Sequence, residues 1–514
     1  MSRPLHILGP LEIDFEKSVL KSRVSGAELL LGPRAADVMV FRDGEEAVAV
    51  DSRGRVIAGS RDHAEVIWRA FSGGGRVYLD GEFKISKIIP MVSDLEVLGS
   101  PNTVLRGSDL SIEVFKATTP VENVKIRGIK IENAFRGIYF NAVGCKKIVI
   151  EDVEFHNVKD EIRFYVTETE GDFEDITVRN VRSYVDDPNV DVGGSVEVTG
   201  AVGFIVEDIF VYDANGYRDG PEVSVDMSRK GVVKTVLGYG HLDYLVRIQD
   251  SRDVEVDHVI SVNSKSWGSL LIKAKDRACE RVTAKHILQV DNQGGHSLQI
   301  AAQAYYLKDV ILEGFIVDGG GSYGISVWAD QGDVLGVKLL NGIVKNCGKN
   351  TSLSSWLRCG ILVNGRNNKV IEIEIKNVRA YDDQETKTQQ YGIVLMARED
   401  YGRPCTIRGI VELNDVRDNA VSGILAEAQG SGVLDVVIRR NLGFPTENSG
   451  VATLPAGSTS VTVNHGLAKA PRIILLTPAG NANVWYENVT DTSFDIVTDT
   501  APSTDLDVAW YAEV

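Results

Sequence analysis

The chain of 514 residues is short of several things, and each shortage excludes a class of protein. Cysteine is scarce: Cys145, Cys279, Cys347, Cys359 and Cys405 are five in number, without metal-ligand spacing. They read as buried thiols, with Cys347 and Cys359 the one pair placed to close a loop. No apolar run approaches a transmembrane span, so membrane insertion is not expected. Basic residues are outnumbered, and a formal charge of −17 argues against nucleic acid, whose phosphates demand a basic face. The start, MSRPLHILGPLEIDFEKS, lacks the apolar core of a signal peptide. The sequons Asn350-Thr-Ser and Asn488-Val-Thr are therefore read as idle. Helical periodicity is nearly absent too, confined to one stretch near the start.

What fills the chain instead is alternation. Between Val124 and Val437 a strand-length phrase recurs, with apolar residues at every second position: SVEVTGAVG at Ser195, EVSVDMS at Glu222, LVRIQDS at Leu245, LLIKAKD at Leu270, LQIAAQA at Leu298, ISVWADQ at Ile325. Each is followed by a second β-rich segment, such as DVEVDHVISV at Asp253 and RVTAKHILQV at Arg281. Equivalent positions Val254, Val282 and Val310 recur every 28 residues, and elsewhere the step is about 21 to 36, a solenoid period. Short strands joined by Gly, Asn and Asp turns predict an all-β fold, a parallel β-helix whose inward Val, Ile, Leu, Phe and Ala share one core. Residues 1–75 are expected to hold β-rich pieces, including a hairpin turned at Ser52-Arg-Gly54, and a helix over Asp62–Phe71 capped by Ser60 or Asp62. Such a helix covers the open end of a solenoid. The coils are assigned to 76–441, a linker to 442–450, and a small antiparallel β-sandwich to 451–514.

The helix, then GGGRVYLDGEFKIS and LEVLGSPNTVLRG, resembles the opening coils of the pectate-lyase-like right-handed β-helix superfamily, over roughly residues 40–440. That superfamily includes polygalacturonases, other polysaccharide-degrading enzymes and phage tailspikes, so the resemblance implies a right-handed coil and a glycan partner. The wording after Gly450 is similar to C-terminal modules of viral tail proteins and, more loosely, to lectins pairing an Asn-His-Gly stretch with a terminal tryptophan. That likeness implies trimerisation or sugar binding. His465 and Trp485 are its candidate ligand contacts, and Trp485, Trp510 and Tyr511 are read first as core or subunit contacts. Gly294-Gly-His296 is similar to the glycine-histidine-glycine of polygalacturonases, but Ser297 stands where glycine is expected. Asn189-Val-Asp191 likewise departs from asparagine-threonine-aspartate, so that family's mechanism is not carried over and His296 is read as a turn residue.

Aligning the first strand of each coil by its apolar positions turns Val196/Val198, Val223/Val225, Val246/Ile248, Leu270/Ile272 and Leu298/Ile300 inward. The outward pairs are then Glu197/Thr199, Ser224/Asp226, Arg247/Gln249, Leu271/Lys273, Gln299/Ala301 and Ser326/Trp328, with later coils largely apolar at Leu362, Val394 and Met396. Glu197 and Asp226 form a diagonal pair on neighbouring strands, roughly 7–8 Å apart, which suits an inverting glycosidase. Like-charge repulsion raises one pKa and supplies a general acid. Arg247 and Lys273 are placed to hold a sugar carboxylate or to assist β-elimination, Gln249 and Gln299 to bind hydroxyls, and Trp328 to stack on a pyranose. The plain alternative is that outward polar residues only keep a solenoid in solution, Glu197 pairing with an arginine column as a surface ion pair.

The turns carrying Asp186, Asp187 and Asp191, and Asp213 and Asp219, precede the strands of Glu197 and Asp226 and are expected to wall the same groove. Calcium suits such oxygen ligands, but no loop has EF-hand spacing, so these and the Asp382-Asp383-Glu385 turn read as solvated carboxylates and no cofactor is expected. Three functions fit: a tailspike-like homotrimer, extracellular or virion-associated, that binds and depolymerises a cell-surface polysaccharide; a stand-alone hydrolase or lyase; and a non-catalytic adhesive rod.

Overall fold

The fold is described from a computed structural model. It covers residues 36–514 apart from 168 and 401 and, before residue 36, the backbone of three antiparallel strands, Leu11–Asp14, Val19–Ser22 and Glu28–Leu30. The rest of the opening stretch read above lies outside the described residues. Two compact units, Met1–Val310 and Ile311–Val514, are taken in turn.

In the first unit, strands Val38–Asp43, Glu46–Asp51 and Val56–Ser60 form an antiparallel meander. The expected helix follows at His63–Phe71, and Asp62 caps it by accepting the Glu65 N–H at 3.1 Å. Its Val66, Ile67, Ala70 and Phe71 are buried, and Phe71 packs its ring 5.6 Å from Phe115 of the coils. The helix thus covers apolar core, as an end cap must.

Beyond it the described strands of this unit pair in parallel. Gly75–Asp80 pairs with Leu95–Gly99, and the long strands Glu122–Phe140, Cys145–Phe164 and Phe173–Tyr184 follow in register. From Val196 onward short strands alternate with longer ones, Ala201–Tyr212, Arg229–Tyr239, Arg252–Val262 and Cys279–Val290. Val254 pairs with Val282, as the 28-residue spacing predicts. Like stacks on like inside the coil: Phe140 lies 4.7 Å from Phe164 with the rings 3° from parallel. Each fully buried Val, Leu or Ile contributes about 1.5–3 kcal/mol.

The second unit repeats the rule. Ile325–Ala329, Cys359–Gly365, Tyr391–Ala397 and Ser422–Ala428 stack in parallel register. Leu362, Val394 and Met396 leave the coil interior yet are not exposed. They form a second apolar cluster with Tyr323 and Cys359, packed against Trp356, Leu357, Tyr391 and Leu425. An apolar outward column is stable only under such a cover.

Six antiparallel strands then form two three-stranded sheets, the expected sandwich. Its first strand is Glu447–Leu454, so Glu447–Gly450, read as linker, pairs with Leu506–Glu513 instead. Turn-like composition yielded to a partner strand. Trp510 is core, T-shaped on Phe494 at 5.8 Å, whereas Trp485 is exposed. His465 is fully buried and takes the Leu467 N–H at 3.0 Å, so it cannot meet a ligand as expected. All five cysteines are buried without a disulfide, Cys347 and Cys359 included.

Candidate functional site

The short strands of the first unit carry the site. Val196, Val198, Val223, Val225, Val246, Ile248, Leu270, Ile272, Leu298 and Ile300 all face inward and are buried. Parity then fixes the rest. One outward column runs Arg163, Glu197, Ser224, Arg247, Leu271, Gln299; its neighbour runs Thr199, Asp226, Gln249, Lys273, Ala301. The expected columns, and the diagonal placing of Glu197 and Asp226, are thus those of the structure.

The two carboxylates differ in surroundings. Glu197 meets Arg163, Nε to Oε2 at 2.9 Å, and accepts from Thr199 Oγ1 at 3.3 Å. Arg163 also reaches Asp160 at 3.1 Å, and Arg136 holds the same aspartate at 3.1 Å. Burial pushes the Glu197 carboxyl above its ordinary value; Arg163 opposes this, and Asp226 and Asp160 reinforce it. Asp226 is buried rather than displayed, with 11% of its side chain exposed against 25% for Glu197. Its Oδ2 accepts from Arg247 at 2.8 Å and from Ser224 at 3.1 Å. Its Oδ1 is buried and has no hydrogen-bond partner among the described residues. Thr199, Ser224 and Leu271, expected outward, are buried too.

Those loops make the site concave. A cavity of about 330 Å³ has Arg136, Asp160, Arg163, Glu197, Ser224 and Arg247 as its floor, with Val192–Gly194 and Asp219–Pro221 forming its wall. Both wall segments come from the acidic turns. A side chain at Gly193, where φ is +103°, would collide with the Lys159 carbonyl, so only glycine lets the wall lie this close. The carboxylates of those turns have protein partners: Asp191 meets Lys159 at 2.8 Å, Asp186 accepts from Asn157 at 2.7 Å, and Asp213 accepts the N–H groups of Tyr217 and Arg218. In the second unit Asp382 likewise accepts the N–H groups of Thr388 and Gln389.

Composition alone did not reveal the wall's anchor. Arg218 is fully buried, bonded to Glu161 at 2.9 Å, Glu222 at 2.7 Å and Ser183 Oγ at 2.7 Å. Burial raises both glutamates against the opposing pull of Arg218, Glu222 to about 8. One guanidinium therefore faces two carboxyls, one of them a proton carrier at neutral pH.

Also missed was an aromatic group on the next three loops of the same series. Tyr244 and Trp267 stack at 5.8 Å and 16°, and His296 lies 4.6 Å from Trp267. Tyr244 donates to Gln299 at 3.1 Å, and Trp267 is 37% exposed. His296 is more than a turn residue: burial holds it neutral, down at about 4. Of the remaining candidates, Gln249 and Lys273 follow Asp226 in its column. Burial, Lys275 and Arg247 push the Lys273 ammonium down. Trp328 belongs to the second unit, where Arg366 lies 5.7 Å over its ring. The face expected to stack on sugar is shared with a cation.

No family model and no curated protein matches the chain. Among solved structures it is similar to the tailspike gp61 of Pseudomonas phage phi297, at 10% identity over 87% of this chain and 92% of that one, TM-score 0.47. It is also similar to the tailspike gp49 of Pseudomonas phage LKA1 (12% identity, 87% and 92%, TM-score 0.39). A third is the A-module of the Azotobacter vinelandii mannuronan C-5 epimerase AlgE6 (14% identity, 74% and 94%, TM-score 0.39). At these values the likenesses carry no argument about chemistry; the strand register above establishes the parallel β-helix.

Proposed function

We propose that this protein binds an extended polysaccharide along the loop-walled groove of its first unit and hydrolyses it between Glu197 and Asp226. The observation that carries the reading is this diagonal carboxylate pair: Glu197 lines the cavity floored by Arg136, Arg163 and Arg247, and Asp226 is bonded to that Arg247. Glu197, raised by burial, is the general acid that protonates the departing glycosidic oxygen. Asp226 is the base that takes the proton of the water adding to the anomeric carbon from the opposite face. Its unpartnered Oδ1 is the acceptor for that water. A diagonal offset of roughly 7–8 Å falls in the range that leaves room for water, hence inversion. The arginines favour an acidic glycan, and Trp267, exposed and stacked on the buried Tyr244, offers a ring for a sugar further along.

In this reading the protein is a tailspike-like, virion-associated or extracellular receptor-binding protein, and a homotrimer. Lys273, with its lowered ammonium, supports β-elimination as the second chemistry. The test is a panel of acidic and neutral polysaccharides, read for retention, new reducing ends and unsaturated products. Reducing ends that vanish in Glu197→Gln support hydrolysis; unsaturated ends that vanish in Lys273→Met support elimination; retention without products leaves a binding groove only.

A further inference from the structure

The long strands of the first unit share a bend at an equivalent point in successive coils. Asp152, Asn180, Asp208, Thr235, His258 and His286 occupy that bend in successive coils, all with positive φ. Asparagine and aspartate adopt this left-handed conformation readily, so the first positions follow backbone preference. Histidine is enriched there as well, and two of them fall in consecutive coils. Their φ values are +55° and +51°, and unbroken register stacks one on the other. Strands a coil apart are separated by about 4.8 Å, so both imidazoles leave the coil side by side. Their ring centroids are 4.6 Å apart.

Between them stands one carboxylate. Asp257 Oδ2 lies 2.8 Å from Nδ1 of His258, and Oδ1 lies 2.7 Å from Nδ1 of His286. Ligand atoms of all three side chains fall within 4.8 Å of one another, and both histidines are exposed. We infer that Asp257, His258 and His286 form a surface site for a first-row divalent cation of the zinc type. Two imidazoles and a carboxylate are the donor set such ions take, with remaining positions left to water. Calcium and magnesium, which want oxygen, are not served. Lys234 and Lys285 flank Asp257 in its own column, and their positive charge opposes a bound cation. The site lies on the long strands, apart from the short strands that carry the groove, and does not rest on the proposed hydrolysis.

The experiment uses the untagged full chain titrated with Co²⁺, read by visible absorption, and with Zn²⁺, read by calorimetry. All five cysteines are buried, so surface thiolates do not contribute. The expected result is one ion per chain, with affinity falling at least roughly tenfold in His258→Ala, His286→Ala and Asp257→Asn. His156→Ala is the control, because His156 faces the lone carboxylate of Asp186 at 3.2 Å; it should bind as wild type does. Circular dichroism verifies that each variant is folded. Unsaturable binding, or equal affinity in both histidine variants and wild type, overturns the site, as does less than one ion per chain with metal-dependent association.

Discussion

Arg218 Nη2 lies 2.7 Å from Oε2 of Glu222, both side chains fully buried, while the next residues, Asp219 to Pro221, line the groove. A buried charge cluster thus fixes the position of the cavity wall. Removing Arg218 leaves Glu161 and Glu222 facing each other without a cation. Breaking a buried pair in this way costs about 3–5 kcal/mol. Arg218→Ala should therefore lower the unfolding midpoint markedly in chemical denaturation and weaken glycan retention with it.

The same cluster makes stability depend on pH. Glu222 keeps its proton in the folded chain up to about 8, whereas an unfolded glutamate releases it near 4.5. Between those values the folded state binds more protons than the unfolded one, so stability falls as pH rises, by up to about 1.4 kcal/mol per pH unit. Below the window both states are protonated and the contribution is constant. Glu222→Gln should flatten this slope between pH 5 and 8 (roughly the interval between the two values), measured by denaturant unfolding at several pH values. An unchanged slope would show that the buried proton lies elsewhere.

Trp267 is exposed on a later loop of the series that walls the cavity, stacked on Tyr244. Trp267→Ala should weaken glycan binding by about tenfold, about 1.4 kcal/mol, with little change in the rate at saturating substrate. Affinity electrophoresis with the polysaccharide identified by the panel measures it. Equal retention would remove the aromatic group from the binding surface.

Alternation made the coils legible. Valines and isoleucines spaced by twos have one burial solution, so Val196/Val198 and Val223/Val225 fix the register, and Glu197 and Asp226 fall on a diagonal without further information. The same rule is silent on loops. Strand parity does not say whether Asp226 is displayed or buried, and Arg218 turning inward depends on partners, Glu161 and Ser183, many residues earlier. Tyr244, Trp267 and His296 sit in three different loops and meet only once the coils are stacked. The 28-residue step did put His258 over His286, but their shared carboxylate emerges only from the bend's geometry. In the C-terminal sandwich, Glu447–Gly450 has the composition of a linker and becomes a strand because Leu506–Glu513 supplies the partner.

The arginines beside the pair give a further expectation. Arg247 bonds Asp226 and Ser224 at once, so Arg247→Ala should release Asp226 from its only ion pair among the described residues. Hydrolysis should fall by about 10²-fold or more, and the loss should exceed that for Lys273→Met. The reverse order would favour elimination.

The most direct measurement is product formation from the polysaccharide panel by wild type, Glu197→Gln and Asp226→Asn, with retention of the same glycans followed in parallel. Both variants should retain glycan near wild-type strength while releasing reducing ends at least about 10²-fold more slowly. Full-rate cleavage by either variant would contradict the proposed hydrolysis at this pair.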